Sequence, residues 1–150
     1  MNDLKKQLHQ LCLDFVKQRI ENAQLAIQSA EQSAAEDTKS SAGDKYETGR
    51  EMLQQETDRN MAQLTEANKL LVALNRIGTS GQSETVEEGS VVKTNNGSFY
   101  ISVSAGILKL GDDSYFAISA ASPIGVKMLG CKAGDEFSLN GKAYTILSVM

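Results

Sequence analysis

The chain has 150 residues, a formal net charge of −4, 41 % hydrophobic residues and 23 % charged ones. These values describe one ordinary soluble domain or two small ones, and no apolar run approaches the roughly 18 to 20 residues that a membrane-spanning helix needs. The negative balance excludes bulk attraction to nucleic acid or anionic lipid as a binding mode, so any contact with RNA or DNA would need a partner.

The first half reads as helix. From Met1 to Ile77 there is no proline, and the glycines are Gly43 and Gly49. The opening MNDLKKQLHQ is polar and helical in pattern rather than signal-like, which makes the cytoplasm the expected compartment. Leu13, Val16, Ile20, Ala23, Ile27, Ala30 and Ala34 follow alternating steps of three and four, the seam of a coiled coil. The same rule then selects Tyr46, Arg50, Leu53, Thr57, Asn60, Leu64, Ala67, Leu71 and Leu74. A reversal near Ser40 sets Ile27 opposite Leu53 and Val16 opposite Leu64, so an antiparallel hairpin is predicted over 1–77, with arms on the order of 50 Å long. Polar Arg50, Thr57 and Asn60 on the seam predict a loose middle, with Met61 free to turn inward beside Asn60. Leu4, Leu8 and Leu11 lie on a shifted stripe, which predicts that the first turns also pack against the second domain.

The tip spans about 36–45. Ala35, Ser40, Ser41, Ala42 and Gly43 allow a tight reversal. Its acids are Glu36, Asp37, Asp44 and Glu47. Asp44 suits the start of the second helix, where a carboxylate caps free N–H groups and favours the dipole. Carboxylate oxygens at such a tip also suit Mg²⁺, which commonly takes one or two protein carboxylates and leaves its other positions to water and phosphate. Both readings stand on these residues.

The stretch 78–88 has linker chemistry, small, polar and acidic. Beyond it, 89–150 reads as a small antiparallel β domain. Val91 and Val92 open a strand, Asn95-Asn96-Gly97 is a hairpin turn, and Phe99, Ile101 and Val103 alternate as an inward face. Further strands are predicted at 107–110 and 114–118. Ser122 is a natural N-cap and Pro123 favours the first turn of a short helix that ends at Gly130. Gly134-Asp135 and Asn140-Gly141 then turn the last two strands, 136–139 and 142–149. In that helix Ile124 and Leu129 read as core.

The stretch ISAASPIGVKMLGCKAGDEFSLNGKAYTILSV, residues 118–149, resembles the C-terminal domain of the bacterial Gre-type (GreA/GreB-like) transcript-cleavage factors. VEEGSVV, residues 86–92, resembles that family's approach to the domain, and YETGRE, residues 46–51, resembles the start of its second helix. The resemblance covers nearly the whole chain and implies an α+β protein: an N-terminal antiparallel coiled-coil hairpin followed by an FKBP-like antiparallel β domain with one short helix. It implies a transcription elongation factor that binds RNA polymerase, with the hairpin in the secondary channel and the β domain at the channel mouth. The RNA 3′ end would be touched only indirectly. Docking is implied for Ser122, Pro123, Ile124 and Gly125, residues that equally read as a plain helix start.

In that family an aspartate and a glutamate three residues later at the tip help hold a Mg²⁺ shared with the polymerase active site, in two-metal hydrolysis of backtracked RNA. Here Asp37-Thr38-Lys39 resembles the start of that motif, but Ser40 stands where the glutamate belongs. Aligning on Tyr46 instead puts Lys39 and Ala42 at the acidic positions. A further register pairs Asp37 with Asp44 across a longer turn, with Glu36 close by. The chain therefore reads either as a cleavage-stimulating factor or as a channel occupant that regulates without cleavage. A coiled-coil adaptor unrelated to polymerase is the rival from another class.

Self-contained catalysis is not expected: there is no Gly-rich phosphate loop, and His9, the single histidine, has no Ser-His-Asp set around it. No cofactor is expected on the isolated chain, a monomer is expected, and no membrane partner is. Cys12 and Cys131 lack disulfide spacing and read as reduced thiols. His9 and Cys12 make only half of a metal-ligand pattern. Lys45, Arg50 and Arg59 are cations within reach of RNA phosphate near the tip, or a solvated face.

Overall fold

The computed structural model describes the backbone of residues 2–39, 43–79, 81 and 83–150, with side chains except those of 2, 34, 36–39, 43–48 and 50. Helices α1 (Asn2–Lys39) and α2 (Gly43–Arg76) precede strands β1 (Val91–Thr94), β2 (Gly97–Ser102), β3 (Gly106–Leu110) and β4 (Asp113–Ser119). Helix α3 (Pro123–Met128) and strands β5 (Glu136–Leu139) and β6 (Lys142–Val149) complete the α+β chain. Packing groups Met1–Phe15 with Leu71–Met150 in one compact unit and Val16–Leu70 in another. Among the described residues no helix is long and apolar enough to cross a membrane.

In the helical unit, burial follows the seam. Val16, Ala23 and Ala30 are buried on α1, with Ile20 and Ile27 half-buried between them, and Ala67 is buried on α2. Leu53, Thr57, Asn60 and Leu64 reach only half-burial. The alanines that close the seam are short, so the helices pack along a shallow interface, and the polar stretch of α2 leaves it loose, as its composition predicts. Met61 does not repair it: its side chain stays 53 % exposed, since burial would turn it away from the outward direction its helical position dictates. Asn60 Nδ2 is buried with no hydrogen-bond partner among the described residues, and such a donor opposes folding.

The other unit is built on a six-stranded sheet in the order β3-β4-β2-β1-β6-β5. One pair departs from the expected antiparallel arrangement. β2 and β4 run parallel, with Phe99 beside Phe116 and Ile101 beside Ile118, and the sheet is mixed. The chain leaves β2, runs to the edge as β3, and returns as β4 between them. That path places the alternating apolar residues of β4 on the same faces as those of β2. Gly106, with φ of 74°, opens the edge strand, a conformation that glycine adopts without a Cβ penalty.

Both faces of the sheet are covered. On one, Val92, Phe99, Ile101 and Ile146 pack with Val86 and Met128 of α3, with Ile118, Ile124, Phe137 and Tyr144 against them. On the other, Val91, Tyr100, Ser102, Leu108, Tyr115 and Ala117 are buried. The first turns of α1 lie against this second face, as the shifted leucine stripe predicts: Leu8 and Cys12 are fully buried. His9 Nδ1 lies 3.2 Å from the Tyr100 hydroxyl, and Cys12 Sγ lies 3.5 Å from Ser102 Oγ. Lys5, only 5 % exposed, donates to the Gly81 carbonyl at 2.7 Å. Burial lowers its pKa, and Glu87 partly opposes that shift. The segment before β1 is itself tied down, with Val86 N–H donating to Cys131 O at 2.8 Å and Gly130 N–H to Val86 O at 3.0 Å.

Two outcomes follow. Replacing Asn60 with leucine removes an unpaired buried amide and fills an a/d-type site, so it should raise stability by about 1 kcal/mol, measured by urea unfolding followed by circular dichroism. Burial also holds the native His9 pKa below the ordinary 6.5. The unfolded chain then takes up a proton at a higher pH than the native one does. Stability is therefore full above about 6.5 and declines as pH falls toward the native His9 value. His9→Gln should flatten the urea midpoint across that window, and an unchanged slope would exclude His9 as its source.

Candidate functional site

The surface the sequence singles out is the start of α3. Ser122 is its N-cap, with φ of −66° and ψ of 158°. Ser122 Oγ accepts from Gly125 N–H at 3.1 Å and donates to the Ser119 carbonyl at 2.7 Å. One hydroxyl thus satisfies a free helix N–H and holds the end of β4 to the helix. Pro123 occupies the first turn and costs no hydrogen bond there. Gly125 is buried, and a Cβ at this position would fall on the Ser119 carbonyl oxygen and within 2.9 Å of Ser122 Oγ. Only glycine lets the helix approach the strand end this closely.

The four sequence-selected residues therefore divide by position. Ser122 is half-buried and Gly125 buried, and Ile124 is half-buried against the apolar core, while Pro123 is exposed. Leu129, expected in the core, is instead 41 % exposed, and Val126 is 60 % exposed. The short helix turns one side inward through Ile124, Gly125 and Met128, so positions 123, 126 and 129 face out at helical spacing. That spacing was open to reading in SPIGVKMLG, but a six-residue helix gives too little periodicity to decide which side is core. Lys127 on α3 and Lys132 three residues after Leu129 are exposed, and neither has an ion-pair partner among the described residues. The face offers apolar surface with exposed lysines close by in sequence.

The remaining candidates sit elsewhere. Asp37, Asp44 and Glu36 belong to the helices by backbone, but their side chains lie outside the described residues, as do those of Lys45 and Arg50. Arg59 is exposed on α2. His9 and Cys12 point to Tyr100 and Ser102, and burial raises the Cys12 thiol pKa despite the Ser102 hydrogen bond. Among the described residues no group of three potential metal ligands converges.

Four aromatic rings of the β unit, which the sequence offers only as core fillers, form a row. Phe116, Phe99, Tyr144 and Phe137 follow one another across the sheet, with centroids 5.6, 6.3 and 4.9 Å apart. Phe116 is 40 % exposed at one end, where Ile107 of the edge strand pairs with it. Beside Tyr144, Leu139, Asn140, Gly141 and Lys142 line an open cavity of about 340 Å³. Tyr144 is the one ring among those lining residues.

No family model and no curated protein matches the chain. The chain is similar to a solved structure described as "Structure of the transcription factor Gfh1", with 22 % identity over 89 % of this chain and 90 % of that one and a TM-score of 0.34.

Gly125→Ala should destabilise the β unit by about 2 kcal/mol, because the added methyl meets backbone and not a mobile side chain. Ser122→Ala should cost about 1 kcal/mol through the lost cap. Thermal unfolding of both variants checks the order.

Proposed function

We propose that this protein is a bacterial, cytoplasmic transcription factor that binds RNA polymerase as a monomer. The β unit docks at the mouth of the secondary channel, and the α1–α2 pair supplies the part that fits the channel. The observation that carries the reading is the α3 face, in a chain whose sequence resembles the Gre-type factors on both sides of the linker. A helix start held by Ser122 and Gly125 presents Pro123, Val126 and Leu129 to solvent. Ser122 and Gly125 support that face from beneath, and Ile124 anchors it to the core.

The factor has no catalytic site of its own on this reading. Asp37, with Asp44 or Glu36, would offer oxygen ligands to a Mg²⁺ shared with the polymerase active site and so support cleavage of backtracked RNA. Ser40, in place of the family's second acid, favours the second reading, a channel occupant that modulates transcription without cleavage. An adaptor role would require neither the α3 face nor the tip.

Val126→Asp places a charge at the centre of the exposed face without touching the core. It should weaken binding to core polymerase by about 2 kcal/mol, the cost of a lost interface anchor, while the melting temperature stays within a degree or so of wild type. Unchanged affinity in an equilibrium binding assay would move docking off α3, and wild type that fails to bind would leave the adaptor reading. On stalled, backtracked polymerase with end-labelled RNA, shortening by wild type that is lost in Asp37→Ala or Asp44→Ala identifies a cleavage factor. Intact RNA with retained binding identifies the non-cleaving regulator.

A further inference from the structure

The β unit contains two asparagine-glycine steps, Asn96-Gly97 and Asn140-Gly141. Such a step can lose ammonia when the glycine backbone nitrogen attacks the asparagine Cγ, provided that both groups are free to approach. The fold holds the two steps differently. Asn96 Nδ2 donates to the Ala143 carbonyl at 2.6 Å, its N–H donates to Thr94 Oγ1 at 3.1 Å, and Gly97 lies in the β1–β2 ladder opposite Thr94. Asn140 and Gly141 form the two-residue turn between Leu139 and Lys142, and Asn140 is exposed with φ of 54°. Neither the Asn140 amide nor the Gly141 N–H has a hydrogen bond among the described residues. Both residues border the open cavity, which admits water.

We propose that Asn140 is a site of spontaneous deamidation and that Asn96 is protected from it by the fold. The Gly141 nitrogen forms a bond to Asn140 Cγ and loses its proton, while the Cγ–Nδ2 bond breaks and ammonia leaves, giving a succinimide. Water opens that ring at either carbonyl, to aspartate or to isoaspartate, with no change of oxidation state. The aspartate product places a carboxylate beside Lys142. The isoaspartate product carries Cβ in its main chain, so the two-residue turn no longer spans Leu139 to Lys142, and the hairpin bearing Phe137 and Tyr144 loosens.

The test is prolonged incubation of the full chain at mildly alkaline pH, followed by peptide mapping for the mass gain of amide to acid. A parallel incubation in denaturant reports the intrinsic reactivity of each step. In the native protein Asn140 should convert at least about tenfold faster than Asn96, because opening the Asn96 turn must first break hydrogen bonds that Asn140 lacks. In denaturant the two rates should approach each other. Equal native rates, faster conversion at Asn96, or a native Asn140 as inert as Asn96 would each overturn the proposal. Asn140→Asp, with no amide to lose, should show the remaining conversion at Asn96 alone.

Discussion

Tyr100 sits in the middle of β2 with its ring fully buried and its hydroxyl next to His9, while Phe99 and Ile101 on either side point through the sheet into the α3 core. A strand alternates its side chains, so β2 can be buried along its length only if both faces are covered by something. The first turns of α1 cover one and α3 covers the other. The N-terminal helix is thus part of the β unit's own packing, and residues far apart in sequence fold together there.

The two coverings differ in chemistry. The α3 side is apolar, with Met128, Ile124 and Val86 against Phe99 and Ile101. The α1 side carries Lys5, His9 and Cys12, each directed at a polar group of the linker or the sheet. A buried polar contact gains little net energy and loses much when a partner is removed. This makes the α1 side geometrically specific, and it ties the side's strength to the ionisation of the one histidine.

The same economy of placement explains α3. A helix of six residues has little length with which to form both a core side and an exposed apolar side. Its inner side reaches the core because a glycine replaces bulk where it meets β4, and its other apolar residues turn to water. Pro123, Val126 and the C-capping Leu129 thus leave a small apolar patch facing water.

Much of this was legible in the residues themselves. Steps of three and four gave the helices and the weak middle of their seam, and turn chemistry at Asn95-Asn96-Gly97, Gly134-Asp135 and Asn140-Gly141 set the strands beside them. Ser122-Pro123 opened α3, because local signals of this kind act over a few residues. The parallel pairing of β2 with β4, the outward turn of Leu129 and Met61, and the seats of His9, Cys12 and Lys5 were not legible. Each depends on which distant segment arrives opposite, and one sequence carries no record of that. The sequence by itself determined the elements, their order and the acidic composition of the tip, since these follow from backbone preference and periodicity. Tertiary structure alone decided which apolar residues were left facing water, because burial is a property of the space between elements and not of any one of them.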